Sequence, residues 1–302
     1  MARVAIVVVT YNSGCEIGRC LDAIRSLPDV QIAIVDNASQ DGTREEVLAR
    51  GVPLIANCNN LGFGAAVNQG VRATTAPLVL LLNPDAFLAR GLEVLIAEFD
   101  DPKTGAAGGL LIGSDGLPQT GFMARRLPTP AALIFEVLGI NSLWPHNPVN
   151  WHYRCLGLDP VTPGLVEQPA GAFLMFSRGI WERVGGFDER FWPIWFEDVD
   201  FCFRLKKAGA TVRYNPGAVA IHEGAHSARA LSLAIRERYW YGSLLEYAAG
   251  HYPPLSFRMV CAATVVGSTL RAIRGYPRNG FKAVAVYGVI CRLALGRMLR
   301  FR

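Results

Sequence analysis

Three carboxylates, Glu197, Asp198 and Asp200, stand immediately after Phe191 to Phe196, an uncharged run that holds two tryptophans. Apolar runs bury and carboxylates resist burial. The juxtaposition predicts a cleft in which an acid meets a substrate beneath an aromatic wall. An ionised carboxylate placed there can take a proton from a hydroxyl, which is general-base chemistry. The same acids fit the first turn of a helix, where they favour the dipole. The two readings are compatible, because a helix N-terminus keeps a carboxylate ionised. The helix is expected from about Asp198 to Ala208, with Gly209 as its stop.

A second set of candidates lies at the ends of strands. Val4 to Val9 is mostly β-branched and predicts a parallel strand covered on both faces. Thr10, Tyr11 and Asn12 follow it. Gln31 to Val35 ends at Asp36 and Asn37, Pro53 to Ala56 is followed by Asn59 and Asn60, and Leu78 to Leu82 ends at Asn83-Pro84-Asp85. Helices expected over 17–27, 43–50, 64–74 and 91–99 alternate with these strands, the pattern of a parallel, doubly wound sheet. In such sheets ligands bind beyond the carboxyl ends of the strands. Four polar strand ends therefore describe a crevice whose amides and carboxylates can pair with a base and a ribose. Any one cluster alone reads as an Asx turn or a helix cap more readily than as a site.

Asp85 is a candidate ligand for a hard divalent cation on a phosphate, which needs few protein carboxylates; a simple turn is the alternative. His222 ends a later strand, expected over 218–222, and either completes that site or is structural. Nucleotide chemistry of other kinds is disfavoured. No Gly-x-Gly-x-x-Gly follows the first strand, Gly62-Phe63-Gly64 has Val67 where the third glycine would fall, and no Gly-x-x-x-x-Gly-Lys-Ser/Thr occurs.

Farther along, residues 100–165 read as an irregular connection that shapes a pocket, 168–177 as a strand, 179–184 as a short helix, and 212–214 as a return to the sheet. The 302 residues, 51% hydrophobic and 18% charged, suffice for a large α/β domain and an appendage. The net charge of +5 hides an asymmetry: residues 228–302 hold 12 Lys or Arg against Glu237 and Glu246. A basic tail on an acidic body implies a negatively charged partner. Leu255 to Leu270 is apolar apart from Arg258, and Phe281 to Phe301 mixes apolar residues with Lys282, Arg292, Arg297 and Arg300. Neither offers the ~18–20 uncharged residues of a spanning helix. Basic amphipathic helices lie on a membrane surface; a helical cap or a homodimer surface is the alternative. The seven cysteines are scattered without a Cys-x-x-Cys pair, so reduced thiols are expected. The chain enters a strand at once, with no charged n-region, h-region and cleavage site, so no export is expected; no nucleic acid is expected among its partners.

In their order and spacing these pieces resemble the family 2 inverting glycosyltransferases of the GT-A fold, especially the bacterial rhamnosyltransferase-like group. The resemblance spans about residues 3–228. It rests on Val8-Val9-Thr10-Tyr11-Asn12, on Val35 through Thr43, and on Asn60-Leu61-Gly62-Phe63-Gly64. It continues with Asn83-Pro84-Asp85, Gly185-Gly186-Phe187-Asp188-Glu189, Glu197-Asp198-Val199-Asp200, and His222 with His226-Ser227.

It implies a GT-A catalytic domain over 1–227, with a nucleotide-sugar-binding half (1–99) and an acceptor half (100–227), and a helical tail over 228–302. Thr10, Tyr11, Asn12, Asp36 and Asn37 would hold the nucleoside, and Asn60 and Gly62 would lie near base or phosphate. Asn83 and Asp85 stand where the family has Asp-x-Asp, with Asn83 removing one charge. Asp85 and His222 would bind Mg²⁺ or Mn²⁺. Asp198 would be the base and Glu197 would orient the acceptor. Trp192, Trp195 and Phe196 would stack on the acceptor sugar, with core packing as the equal alternative. Arg125 and Arg126 either meet a phosphate-bearing acceptor or form a solvated turn.

The implied reaction moves a sugar from a nucleotide-diphosphate donor, dTDP-rhamnose or alternatively a UDP-sugar, to a glycan or polyprenyl-diphosphate-linked acceptor. It would occur at the inner face of the cytoplasmic membrane in cell-envelope polysaccharide synthesis. A nucleotidyltransferase would carry a basic Gly-rich loop where Thr10 to Gly14 stand. An inactive nucleotide-sugar-binding subunit is the non-enzyme alternative, and the retention of Asp85, Asp198 and His222 argues against it.

Overall fold

The computed structural model describes residues 2–224 and 231–300. The motif residues His226 and Ser227 lie outside the described residues. The chain forms two compact units. The first takes Met1–Leu127, Leu158–Pro193 and Glu197–Ala230; the second takes Pro128–Gly157, Ile194–Phe196 and Leu231–Arg302.

The first unit begins with β1 (Val4–Thr10), α1 (Ile17–Ile24), β2 (Val30–Asp36), α2 (Thr43–Leu48), β3 (Leu54–Ala56), α3 (Phe63–Arg72), β4 (Leu78–Leu82), β5 (Ala86–Arg90) and α4 (Leu92–Ala97). It continues with β6 (Thr104–Ile112), β7 (Ala124–Arg125), β8 (Gly164–Leu165), β9 (Gln168–Pro169), β10 (Phe173–Ser177), α8 (Arg178–Val184), α9 (Glu197–Lys207) and β11 (Thr211–His222). The main sheet runs β3-β2-β1-β4-β10-β6-β11-β5, with β8 on β11. Its first four strands are parallel. β10 is inserted antiparallel between β4 and β6, β11 returns parallel to β6, and β5 pairs antiparallel with β11.

β1 shows why its sequence does not alternate. Val4, Ile6 and Val8 join Ile17, Leu21, Ile24 and Leu80 on one side of the sheet. Ala5, Val7 and Val9 join Val71, Leu81, Leu174 and Phe201 on the other. With both faces covered, every position from Val4 to Val9 is apolar, and each fully buried aliphatic side chain contributes about 1.5–3 kcal/mol.

The expectation for 100–165 needs correction. Those residues contain β6, a nine-residue strand in mid-sheet, and three helices. Gly105, Gly108 and Gly109 make the segment look like a loop. In the structure a Cβ at Gly108 would stand 2.4 Å from the Pro169 side chain, and one at Gly109 would stand 2.4 Å from the Phe173 ring. These glycines mark close approach within a sheet. The two short returns expected over 212–222 are one strand, β11, with a register shift between Asn215 and Val219.

The second unit comprises α5 (Pro130–Leu138), α6 (Ile140–Leu143), α7 (Pro148–Tyr153), α10 (Leu233–His251), α11 (Pro254–Asn279) and α12 (Phe281–Arg300). Thr129, Asn147 and Ser232 cap α5, α7 and α10 by accepting from backbone amides of the first turn. Arg271 of α11 donates to the carbonyls of Val137 and Glu136 at the end of α5. Residues 128–157 and 194–196, which the sequence assigns to the acceptor half, belong to this helical unit. No described helix is long and apolar enough to cross a membrane.

Candidate active site

The loops that leave β1, β2 and β3 are tied to one another by their own polar side chains. Thr10 Oγ1 donates to Asp36 Oδ1 (3.0 Å), the Ser39 amide donates to Asp36 Oδ2 (3.1 Å), and Arg44 Nε reaches the same oxygen (2.6 Å). The Ser39 hydroxyl also donates to Oδ1. Asp36 is fully buried. Asn37 Oδ1 accepts from Asn57 Nδ2 and the Leu61 amide, while Asn37 Nδ2 donates to Asn60 Oδ1 (3.0 Å). That oxygen also accepts from the Gly62 amide (2.9 Å). Asn12 is exposed and its Oδ1 accepts from the Gln40 amide (2.8 Å). The structure thus brings Thr10, Asn12, Asp36, Asn37 and Asn60 together with half-buried Tyr11. Asp36 acts there as the knot of the loops, with both oxygens engaged. Exposed Cys15 and Cys58 flank this cluster, one on the loop after β1 and one on the loop after β3.

The β5–β11 pairing sets His222 opposite Ala86 and so beside Asp85. His222 Nε2 lies 3.5 Å from Asp85 Oδ1, and both residues are buried. Gln119 fixes the imidazole. Its Nε2 donates to the His222 carbonyl oxygen (2.8 Å), so its Oε1 must face His222 Nδ1 (2.8 Å), and Nδ1 carries the proton. Nε2 is the nitrogen directed at Asp85. A separation of 3.5 Å is long for a hydrogen bond, but it suits a shared octahedral cation, whose adjacent ligands lie roughly 3 Å apart. Phe122 stacks on the ring at 5.2 Å. Among the described residues no group of three or more metal-ligating side chains forms. Two ligands nonetheless fit a hard cation whose remaining positions belong to phosphate and water. Beneath this pair the Cys20 thiol is raised far above its ordinary pKa by burial and by the Asp85 charge.

Helix α9 presents the acids as the sequence predicts, with Arg204, Lys206 and Lys207 in its last turn and Glu197, Asp198 and Asp200 in its first. Their environments differ. Asp200 pairs with Arg204 one turn on (2.7 Å) and serves the helix. Asp198 is half-buried; its Oδ2 accepts from the Gly171 amide (2.9 Å) and Gln168 Nε2 (3.0 Å), and its Oδ1 from the Val199 amide (2.8 Å). Burial raises its pKa, opposed by those amides and by the charge of Arg125. Glu197 is buried, its Oε2 has no hydrogen-bond partner among the described residues, and burial together with the Asp198 charge lifts its pKa well above the usual carboxylate range.

One turn of chain links the two halves of the site. Gly171 holds Asp198, while the carbonyl of the next residue, Ala172, accepts from the Asn83 amide (3.0 Å). A Cβ at Gly171 would stand 3.1 Å from that of Asp198, so any side chain there would push the carboxylate back by a few tenths of an ångström. Gln168, Gly171 and Gln119 carry no motif, and sequence reasoning misses all three.

Of the aromatic candidates, Trp192 is exposed, with its Nε1 donating to the Asn60 carbonyl (3.3 Å) on the loop after β3. Trp195 and Phe196 belong to the helical unit, where Phe196 is buried against Trp240 and Tyr247. Both have positive φ, 77° and 68°, a costly conformation for bulky residues that leads directly into α9.

A parallel β-α-β half with a polar crevice, followed by a mixed half that brings an acid to the same strand ends, is the GT-A class of nucleotide-sugar transferase. Solved structures agree on the fold. The mannosyltransferase PcManGT of Pyrobaculum calidifontis, with GDP-Man and Mn²⁺, superposes with a TM-score of 0.54 at 19% identity, covering 97% of this chain and 80% of that one. Staphylococcus aureus TarS with UDP-GlcNAc gives 0.56 at 14% identity, covering 99% and 82%. The chain belongs to glycosyl transferase family 2, whose model matches residues 5–162, and glycosyl transferase family group 2 matches residues 150–299. It is 34% identical over 244 residues to the N-acetylglucosaminyl-diphospho-decaprenol L-rhamnosyltransferase of Mycobacterium tuberculosis, covering 74% of this chain and 76% of the relative. Rhamnosyltransferase WbbL of Escherichia coli is 26% identical over 193 residues, 61% of this chain and 66% of that one.

Proposed function

We propose that this glycosyltransferase moves L-rhamnose from dTDP-rhamnose, in a single inverting displacement, onto a polyprenyl-diphosphate-linked glycan at the inner face of the cytoplasmic membrane. The observation that carries the reading is the Gly171-Ala172 turn, which joins Asp198 on one side to Asn83 and the Asp85–His222 pair on the other. Asp198 takes the proton of the acceptor hydroxyl as that oxygen attacks the anomeric carbon. Its raised pKa makes it a stronger base, and the amides on Oδ2 orient it before substrate arrives. Glu197, kept protonated by burial, orients the acceptor without adding a second charge beside the base. Asp85 and His222 would hold Mg²⁺ or Mn²⁺, which when bound supplies Lewis-acid stabilisation of the departing diphosphate. The loops knotted by Asp36 and Asn37 shape the nucleoside crevice.

The preference for rhamnose and for a lipid diphosphate rests on the name of the mycobacterial relative. A UDP-sugar donor is the alternative, since an Asp-Asn pair suits uracil and thymine alike. Calorimetric titration of dTDP and UDP, with and without Mn²⁺, tests the reading. Metal-dependent binding that favours dTDP is expected. A preference for UDP would remove rhamnose but keep the reaction class, and binding of neither nucleotide would sink the donor site.

A further inference from the structure

Helix α11 turns an apolar side to solvent. Leu255 (73% exposed), Met259, Val266, Leu270 and Ile273 (66%) recur at helical spacing on its outward side, while Phe257, Val260, Cys261, Thr264 and Ser268 are buried on the other. Helix α12 does the same, exposing Phe281 (79%), Val284, Leu295 and Leu299 (79%) and burying Ala283, Ile290 and Ala294. The helices lie side by side. Thr269 Oγ1 is 3.8 Å from Cys291 Sγ, and Tyr276 meets Phe281 edge-on at 5.6 Å. On the helical wheel Thr269 and Cys291 each fall between the buried and exposed sides. The two apolar stripes therefore open on the same side of the pair.

A contiguous apolar surface of this kind marks an interaction site, and its charge selects the occupant. From Pro254 to Arg300 there are eight Lys or Arg and no Asp or Glu. Arg274, Lys282, Arg292 and Arg300 are exposed on or beside the stripes. A cavity of about 460 Å³ among α10, α11 and α12 is lined by Phe257, Leu293 and three guanidiniums, Arg292, Arg297 and Arg300. Arg297 is already braced by Glu246 (2.7 Å). Guanidiniums over an apolar floor suit a phosphate carried on a hydrocarbon chain. A second copy of the chain would bring two acid-free basic faces together against their repulsion. A bilayer with anionic headgroups offers both the apolar layer and the opposite charge.

We propose that the α11–α12 face docks in the headgroup layer of an anionic lipid bilayer, with the arginine-lined cavity on a lipid phosphate. The purpose of this docking rests on the lipid-linked acceptor reading, but its test requires no sugar chemistry. The full chain is floated with vesicles of phosphatidylcholine alone and with vesicles in which about one third is phosphatidylglycerol. Binding is expected on the anionic vesicles only, and weakening with salt. Arg292→Gln with Arg300→Gln should reduce partitioning about 25-fold, since each basic residue at an anionic surface is worth roughly fivefold. Leu270→Asp with Ile273→Asp should abolish it while leaving the melting temperature unchanged, because both positions are exposed.

Equal binding to both vesicle types, or undiminished binding by the Asp pair, overturns the proposal. So does a dimer that dissociates in the Asp pair and ignores vesicles, which assigns the face to self-association. Nucleotide binding measured on the same preparations keeps the two readings apart: intact dTDP or UDP binding without vesicle binding removes the docking face alone.

Discussion

Asp36 and Asp198 are the same residue at comparable places, one closing β2 and the other opening α9, both close to the crevice. Asp36 is fully buried and receives Thr10, the Ser39 amide and hydroxyl, and Arg44. Asp198 is half-buried, and its donors leave Oδ1 with the Val199 amide alone. A carboxylate whose lone pairs are all spoken for organises its surroundings. One that is oriented yet under-coordinated can accept a proton. Residue type does not separate the two roles; the count and direction of donors do.

Removing the charge of Asp198 should break the comparison most visibly. Asp198→Asn is expected to lower kcat by about 10²–10⁴-fold while leaving nucleotide affinity unchanged, a split that single-turnover kinetics and calorimetry together resolve. Near wild-type turnover would move the base elsewhere. Asp36→Asn should do the opposite, costing roughly 2–3 kcal/mol of stability, because charge-assisted bonds are lost from a buried site. Urea unfolding reads that directly, and an unaltered midpoint would show that Asp36 is no knot.

Asp85 is a third carboxylate, faced by an imidazole whose proton Gln119 fixes. Gln119→Leu should weaken Mn²⁺ binding about 10- to 100-fold, which electron paramagnetic resonance of added Mn²⁺ would measure without any turnover. The smallest effect belongs to Glu197. Its folded-state pKa is raised, so the folded chain keeps a proton that the unfolded chain releases near pH 4.3 or so. Its contribution is whole below that pH and declines as pH rises towards the folded value. Glu197→Gln should remove the decline, so that the variant gains on wild type in unfolding midpoint as pH rises above about 4.3. Parallel pH profiles would contradict the buried, protonated acid.

The parallel half of the sheet is legible in the sequence because continuous apolar runs have a single physical solution there, burial on both faces. The acids of α9 are legible by contrast with the aromatic run before them. β6 is not legible, since glycines that permit close packing look the same as glycines that permit a turn. Gln119, Gln168 and Gly171 act through one hydrogen bond or one tight contact each, and nothing in their neighbours' types announces it. The polar ends of the first three strands do come together, but their composition cannot tell a buried knot from an exposed contact. Burial is a property of the whole fold, and it made Asp36 the former.

The exposure of Cys15 and Cys58 beside the loops tied by Asp36 and Asn37 has a practical consequence. Cys20, Cys202 and Cys261 are buried, and Cys155 and Cys291 are half-covered. The natural chain thus carries two chemical handles at the rim of its own crevice, with no engineered thiol required. A maleimide fluorophore should label the rim first, and protection of these two sites by a nucleotide would turn alkylation rate into a direct gauge of occupancy.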